Sequence, residues 1–387
     1  MLRNKVVIAG VGESDIGKVP ELSGLGLNAQ AAKRALDDAG LALSDVDGLI
    51  TAYSMTEPYF MLGSVLAEYL GIEPSFCASM TVGGATPAAA LHHAAMAIAT
   101  GQAKTVLVTA GENRATGFSR DAAVQALTQV GHPYFENPYG PLIPAFYAMV
   151  ARRYMFEYGT TRDQLSAVCV QSREHAVRHP ASPMTERITA EDVANSKPIA
   201  EPLHMLDCCL ISDSAGALVV TAADRADEAP HGAAWLLGVG EGHTHEHIVS
   251  APSLTRFGAV QSGETAYAMA GLGPKDMDFA ELYDCFSIVP IIEAEELGLA
   301  ERGAGGELFT SGRAAIEGAL PLNTHGGLLS YAQAGASGGM HGIVEAVRQL
   351  RGREGARQVK RHETALVHNE GGILSSHCTL VLANQRR

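Results

Sequence analysis

The amino-acid sequence is written twice, and this repetition constrains the fold more than any other feature. "VVIAGVGES", opening at Val6, returns as "AWLLGVGEG" from Ala234. "DAGLALSDVDGLITA" returns as "MAGLGPKDMDFAELYD", with the same Ala-Gly-Leu and the same Asp-x-Asp ahead of an apolar run. A Gly-Gly pair then opens a long helical stretch in each half, Gly83-Gly84 in the first and Gly326-Gly327 in the second. Each half closes on a strand-like segment, "KTVLVTAG" and "ETALVHNEGG".

Strand and helix patterns alternate inside each half. "KVVIAGVG" is apolar and β-branched, whereas "LNAQAAKRALDDAG" has helical spacing and a glycine stop. This alternation predicts an α/β sandwich with mostly parallel strands. An insertion from roughly 112 to 212 separates "KTVLVTAG" from the strand "DSAGALVVTAAD", and insertions of that size form caps or substrate-binding regions. The expected organisation is a first half over 1–227, with the loop domain at about 112–212, and a second half over 228–387.

A chain of 387 residues can bury the large core such a sandwich needs. Its formal charge of −14 argues against nucleic acid and anionic membrane as partners. No apolar run approaches the roughly 20 residues of a membrane helix. The opening "MLRNKVVIAGVGES" reads as strand and turn rather than signal peptide, so a cytoplasmic location is expected. The six cysteines lack CxxC spacing, and "HTHEH" at His243, His245 and His247 has no matching carboxylate or cysteine pair. No metal is expected. No phosphate-binding glycine loop of the dinucleotide or P-loop type is present.

With the repeat in place, "ELYDCFSIVPIIEAEELGL", "NTHGGLLSYAQAGASGGMHGIVEAVRQLRG" and "YGTTRDQLSAVCVQSREHAVRHPASPM" make the chain resemble the thiolase superfamily. The likeness is to the sterol-carrier-protein type and spans Lys5 to Leu382. It implies duplicated βαβαβαββ halves in a layered α/β/α/β/α sandwich with an inserted loop domain. It also implies an acyl-CoA substrate, with coenzyme A entering as part of that substrate and no other cofactor. A homodimer or higher assembly is implied too, pairing "KTVLVTAG" of two subunits across a dyad.

Thiolases place a nucleophilic cysteine at the N-terminus of the first half's long helix, where the dipole lowers the thiol pKa and backbone N–H groups form an oxyanion hole. The resemblance puts Gly84 at that position. Cys77, in "FCASM", precedes it and reads as a small buried residue of the preceding strand. The family's other catalytic positions correspond to Tyr283 in "YDCF", Gln333 in "YAQAG" and His368 in "HNEGG". Tyr331 supplies a second phenol. The candidate catalytic residues are therefore Tyr283, Tyr331, Gln333 and His368, with Gly84, Asp284, Asn323, His325 and Gly371 as candidate substrate-binding residues. Tyr283 reads equally well as a core tyrosine, His325 as a turn cap, and Asp284 as a helix cap.

Loss of the nucleophile disfavours a covalent acyl-enzyme. An oxyanion hole plus an acid–base pair still suffices for retro-aldol cleavage of a β-hydroxyacyl-CoA. The resemblance extends to cysteine-less thiolase-like proteins that act as aldolases on CoA-linked steroid side chains with a small OB-fold and zinc-ribbon partner. One alternative is a 3-ketoacyl-CoA thiolase or acetyl-CoA acyltransferase in which Cys77 reaches the site. Another is a non-catalytic acyl-CoA-binding or scaffold subunit.

Overall fold

The repeated "GVG" shows why the two halves take the same shape. Strand β1 (Val6–Glu13) lies under helix α1 (Gly24–Ala39), and a Cβ on Gly10 would stand 2.2 Å from the Ala35 carbonyl oxygen. In the second half β6 (Ala234–His243) lies under α6 (Ala259–Ala270), and a Cβ on Gly238 would stand 2.0 Å from the Ala266 carbonyl oxygen. Both glycines therefore let a helix backbone rest directly on a strand.

The computed structural model describes residues 2–127 and 130–387. In the large sheet, the remaining strands of the first half are β2 (Gly48–Ala52), β3 (Phe76–Met80), β4 (Thr105–Asn113) and β5 (Asp213–Ala222). Those of the second are β7 (Phe279–Glu281), β8 (Thr364–Gly371) and β9 (Ser376–Ala383). Their order is β3-β2-β4-β5-β1-β6-β9-β8-β7, and two residue pairs, Val7 with Trp235 and Ile8 with Ala234, join the halves. Parallel pairing is confined to the outer strands, β2 with β3 and β4, and β7 with β8; the inner strands pair antiparallel.

Two helices fill the space between the half-sheets. They are α3 (Thr86–Ala99), "TPAAALHHAAMAIA", and α8 (Ser337–Leu350), in which nearly every residue is buried. Alanine on most faces of α3 leaves it thin and apolar enough to lie inside a core that also takes Ile8, Val108, Leu218, Val367 and Leu380. Helix α1 and α2 (Leu62–Leu70) cover the first half-sheet, while α6 and α7 (Val289–Glu296) cover the second, completing five layers. The segment between β4 and β5 carries α4 (Ile143–Tyr158) and α5 (Arg162–Arg178), whose apolar faces pack with Tyr283 and Phe286. Among the described residues no helix is long and apolar enough to cross a membrane.

Four expectations change. The strands are not mostly parallel: three pairings of the large sheet are parallel and five antiparallel, because adjacent inner strands run in opposite directions. Gly326-Gly327 opens only the single turn Gly327–Ser330; the long helix α8 starts at Ser337, behind Gly335. Gly335, at φ +57, is thus the counterpart of Gly83, at φ +61, ahead of α3. The segment "KTVLVTAG" cannot pair across a dyad, because β4 is enclosed by β2 and β5; the free edge belongs to β3. Cys77 lies in β3 as expected, but it is exposed, because an edge strand has no neighbour to cover it.

Candidate active site

The turn into α3 is set by Thr86, whose hydroxyl accepts the Val82 N–H at 2.9 Å and donates to the Gly83 carbonyl at 2.6 Å. Gly84 follows at the helix entrance, at the junction of β8, α8 and the chain leaving β7. A Cβ on Gly371 would stand 2.0 Å from the Val82 carbonyl oxygen, and one on Gly339 would stand 2.7 Å from the Gly84 carbonyl oxygen. The glycines permit this backbone-to-backbone crossing.

Tyr283 fills the remaining space. A Cβ on Gly84 would fall 2.2 Å from its hydroxyl oxygen and 2.3 Å from Cζ. The phenol thus occupies the volume that a nucleophilic side chain at Gly84 would need. Gln333 Nε2 donates to the Tyr283 hydroxyl at 3.3 Å, and Gln333 Oε1 is buried without a partner. Burial first, then Cys285 and Glu370, push the Tyr283 hydroxyl well above the usual phenol range, against the opposing Gln333 bond. Tyr283 is therefore a neutral proton donor.

The backbone that carries Tyr283 is clamped. Asn323, at the left-handed φ of +53, accepts the Leu282 N–H at 2.7 Å and returns a bond to the Leu282 carbonyl at 2.9 Å. Asparagine tolerates this conformation better than most side chains. The Tyr283 N–H goes to Glu293 Oε2 at 2.9 Å. Asp284 accepts the Leu328 N–H at 2.6 Å, and burial pushes its carboxyl up to about 6. His325 contacts Glu281 at 2.9 Å; burial works against its protonation, but that carboxylate outweighs it and raises the imidazole. Asn323, Asp284 and His325 are thus buried supports of the 281–284 segment.

Of the residues singled out from the sequence, Gly84, Tyr283, Gln333 and Gly371 come together. Tyr331 faces elsewhere. Its hydroxyl donates to Glu13 at 3.2 Å, and it lines a cavity of about 740 Å³ with His179, Arg348, Arg351 and Arg357. Glu13 also holds His341 at 2.6 Å and Arg348 at 2.5 Å. Its own burial opposes ionisation, but Arg348 and His341 outweigh that and keep its carboxyl well below the usual range. His368 stands on the other face of β8, sealed from solvent, with Nδ1 on Thr379 and Nε2 on His377. Where an ionisable group was expected beside Gly84, β8 presents Asn369, which donates to the Gly339 carbonyl at 3.3 Å.

The same alternation removes Cys77. Phe76, Ala78 and Met80 pack toward the α3 layer, so Cys77 points to the outer face, 3.1 Å from where a Cβ on Gly63 of α2 would stand. Cys285 lies nearer, bonded to Glu370 at 3.2 Å, but burial and then that carboxyl push its thiol well up, so it remains a thiol. Sequence reading passed over Glu370 and Tyr147, which meet at 2.5 Å behind Tyr283. Burial pushes the Glu370 carboxyl up to about 7, against the bonds from Tyr147 and Cys285. The period of two in "HNEGG" was the available signal, since it separates Asn369 and Gly371 from His368 and Glu370.

Residues 6–224 match the family described as thiolase, N-terminal domain, and residues 240–384 match that described as thiolase C-terminal domain-like. The chain is 33% identical over 372 residues to an acetyl-CoA acetyltransferase of Methanothermobacter thermautotrophicus, covering 95% of this chain and 96% of that protein. It is 37% identical over 368 residues to a steroid side-chain-cleaving aldolase of Thermomonospora curvata, covering 91% and 92%. Among solved structures, the Ltp2-ChsH2(DUF35) aldolase superposes with a TM-score of 0.89 at 35% identity, covering 100% of this chain and 99% of that one.

Proposed function

Because this chain belongs to the thiolase family, and a phenol fills the place of a nucleophile at the entrance of α3, we propose that it cleaves a β-hydroxyacyl-CoA by a retro-aldol reaction. The single observation that carries this reading is the Tyr283 hydroxyl against Gly84. An acyl-enzyme has no atom to form on there, whereas a neutral phenol next to backbone N–H groups is suited to a developing enolate oxygen.

In the reaction a base removes the β-hydroxyl proton, the Cα–Cβ electron pair passes to the thioester as an enolate, and a ketone or aldehyde departs. The enolate then takes a proton at Cα to give the shortened acyl-CoA. Tyr283, steadied by Gln333, donates to the thioester oxygen as charge develops. Of the sequence candidates for the hydroxyl proton, Tyr331 lines an open cavity and is bonded to an ionised carboxylate, Glu13, while His368 is enclosed.

The relatives' names support a bulky acyl chain of steroid type and a second protein of the DUF35 kind, with an OB-fold and zinc-ribbon as its expected form. Exposed Phe60 and Met61, close in sequence to the unpaired edge strand β3, support self-association through that edge, and the setting we infer is the cytoplasm. Mass-spectrometric turnover with β-hydroxyacyl-CoA and β-ketoacyl-CoA substrates, with and without free CoA and with and without the partner, tests the reading. Cleavage of the hydroxy substrate without free CoA is expected; CoA-dependent cleavage of the keto substrate alone overturns it.

A further inference from the structure

Behind Tyr283, on the far face of β8, lies a cluster that the proposed reaction does not use. His368 of β8 and His377 of β9 stack with ring centroids 5.2 Å apart, and Nε2 of the first faces Nδ1 of the second at 3.0 Å. Glu293 of α7 presents Oε1 3.7 Å from the same Nε2. All three side chains are fully buried, and Glu293 Oε1 has no hydrogen-bond partner.

The outer atoms of the three groups are already tied. His377 Nε2 meets the Leu374 carbonyl at 3.0 Å, so it carries the hydrogen and leaves the Nδ1 lone pair facing the gap. His368 Nδ1 meets Thr379 Oγ1 at 2.8 Å, and Glu293 Oε2 accepts the Tyr283 N–H at 2.9 Å. A hydrogen on His368 Nε2 would satisfy His377 yet leave Glu293 Oε1 without a donor. A hydrogen on His368 Nδ1 instead turns three electron-rich atoms toward one point. A cation there satisfies all three at once.

We propose that Glu293, His368 and His377 bind a divalent transition-metal ion, with zinc the ion their chemistry fits best. Two imidazoles and a carboxylate are a zinc donor set, and two donors tetrahedrally placed on zinc stand about 3.3 Å apart. The observed separations of 3.0 and 3.7 Å bracket that value. All three donor atoms lie within 4.8 Å of one another, and the carboxylate closes the site by moving inward. The carbonyl and hydroxyl on the outward nitrogens are the supports that fix ligating imidazoles. The ion ties β8, β9 and α7 together and, through Glu293, holds the Tyr283 backbone. Its ligands come from three elements, which is why no sequence motif announced a metal.

Elemental mass spectrometry of the full-length chain, purified alone and without a metal-binding tag, tests the site. About one zinc per chain is expected, falling at least about tenfold in both His368→Gln and His377→Gln. If those variants do not fold, the wild-type chain refolded with Co²⁺ is expected to show ligand-field absorption in the visible. Its crystals should then show anomalous density between the three side chains. A wild-type chain that stays metal-free after refolding in excess Zn²⁺ or Co²⁺ overturns the proposal. So does metal retained at one per chain in both variants, which would place the ion elsewhere, for example at His179, Glu345 and Glu354.

Discussion

The hydroxyl of Tyr283 stands where the side chain of residue 84 would begin, 2.2 Å from an ideal Cβ on Gly84. The two positions are therefore exclusive: the helix entrance can carry a side chain of its own or the tyrosine, but not both. Gly84→Ala is expected to displace the phenol and lower kcat/KM at least tenfold, or about 1.4 kcal/mol of transition-state stabilisation. Gly84→Cys is expected to be no more active and to gain no CoA-dependent thiolysis. Turnover of both variants on hydroxy and keto substrates decides the matter, and thiolysis by Gly84→Cys would show that the site tolerates a nucleophile.

Tyr283→Phe keeps the ring and removes one hydroxyl, whose bonding partner is Gln333. Because the fold loses only that bond, thermal stability is expected to change by about 1 kcal/mol or less, while turnover falls by about 10² or more. Parallel melting curves and steady-state kinetics separate the two effects. An active Tyr283→Phe enzyme would return this residue to the role of a core tyrosine.

Cys77→Ala is expected to leave turnover unchanged, since the thiol lies on the outer face of β3 against α2. Of the six cysteines, it is the exposed one, so a thiol reagent should label one site quickly in the native chain and lose that site in the variant. Loss of activity on substitution would revive the thiolase alternative.

His175 is one of four buried histidines, with His179, His368 and His377, whose imidazoles burial pushes down, and it contributes to the pH dependence of stability. Burial pushes its imidazole down to about 4 from an ordinary value of 6.5, opposed by its contact with the Asn323 carbonyl. The unfolded chain therefore binds this proton at a higher pH than the folded one, and its contribution to stability is full above pH 6.5 and declines as pH falls toward 4. The loss amounts to about 3 kcal/mol across that window. Denaturant unfolding at pH 7, 5.5 and 4 should show a shallower decline for His175→Gln than for the wild-type chain; identical slopes would place the acid sensitivity elsewhere.

Glu370→Gln preserves shape behind Tyr283 but replaces the acceptor shared by Tyr147 and Cys285. One carboxylate oxygen becomes a donor that faces the Leu374 N–H or these two groups. Activity is expected to fall about tenfold through the displaced phenol, with a smaller change in KM. Unchanged kcat would show that this carboxyl only fills space.

The duplication, the alternation of strand and helix, and the glycines of both "GVG" repeats were legible in the chain itself, because close packing writes itself into local spacing. That residue 84 brings no side chain of its own is equally plain, since it is a glycine. The tertiary structure decided what replaces it. Tyr283 lies 199 residues away in the chain, and only the crossing of the glycine-lined turns brings its hydroxyl to Gly84. Likewise the pleat of β8, not the motif "HNEGG", turns Asn369 toward the site and His368 away from it. Which strand forms the sheet edge, and hence that Cys77 is exposed and "KTVLVTAG" enclosed, depends on strand order. Strand order is fixed by which faces bury together across the whole chain, and no local window of residues contains that information.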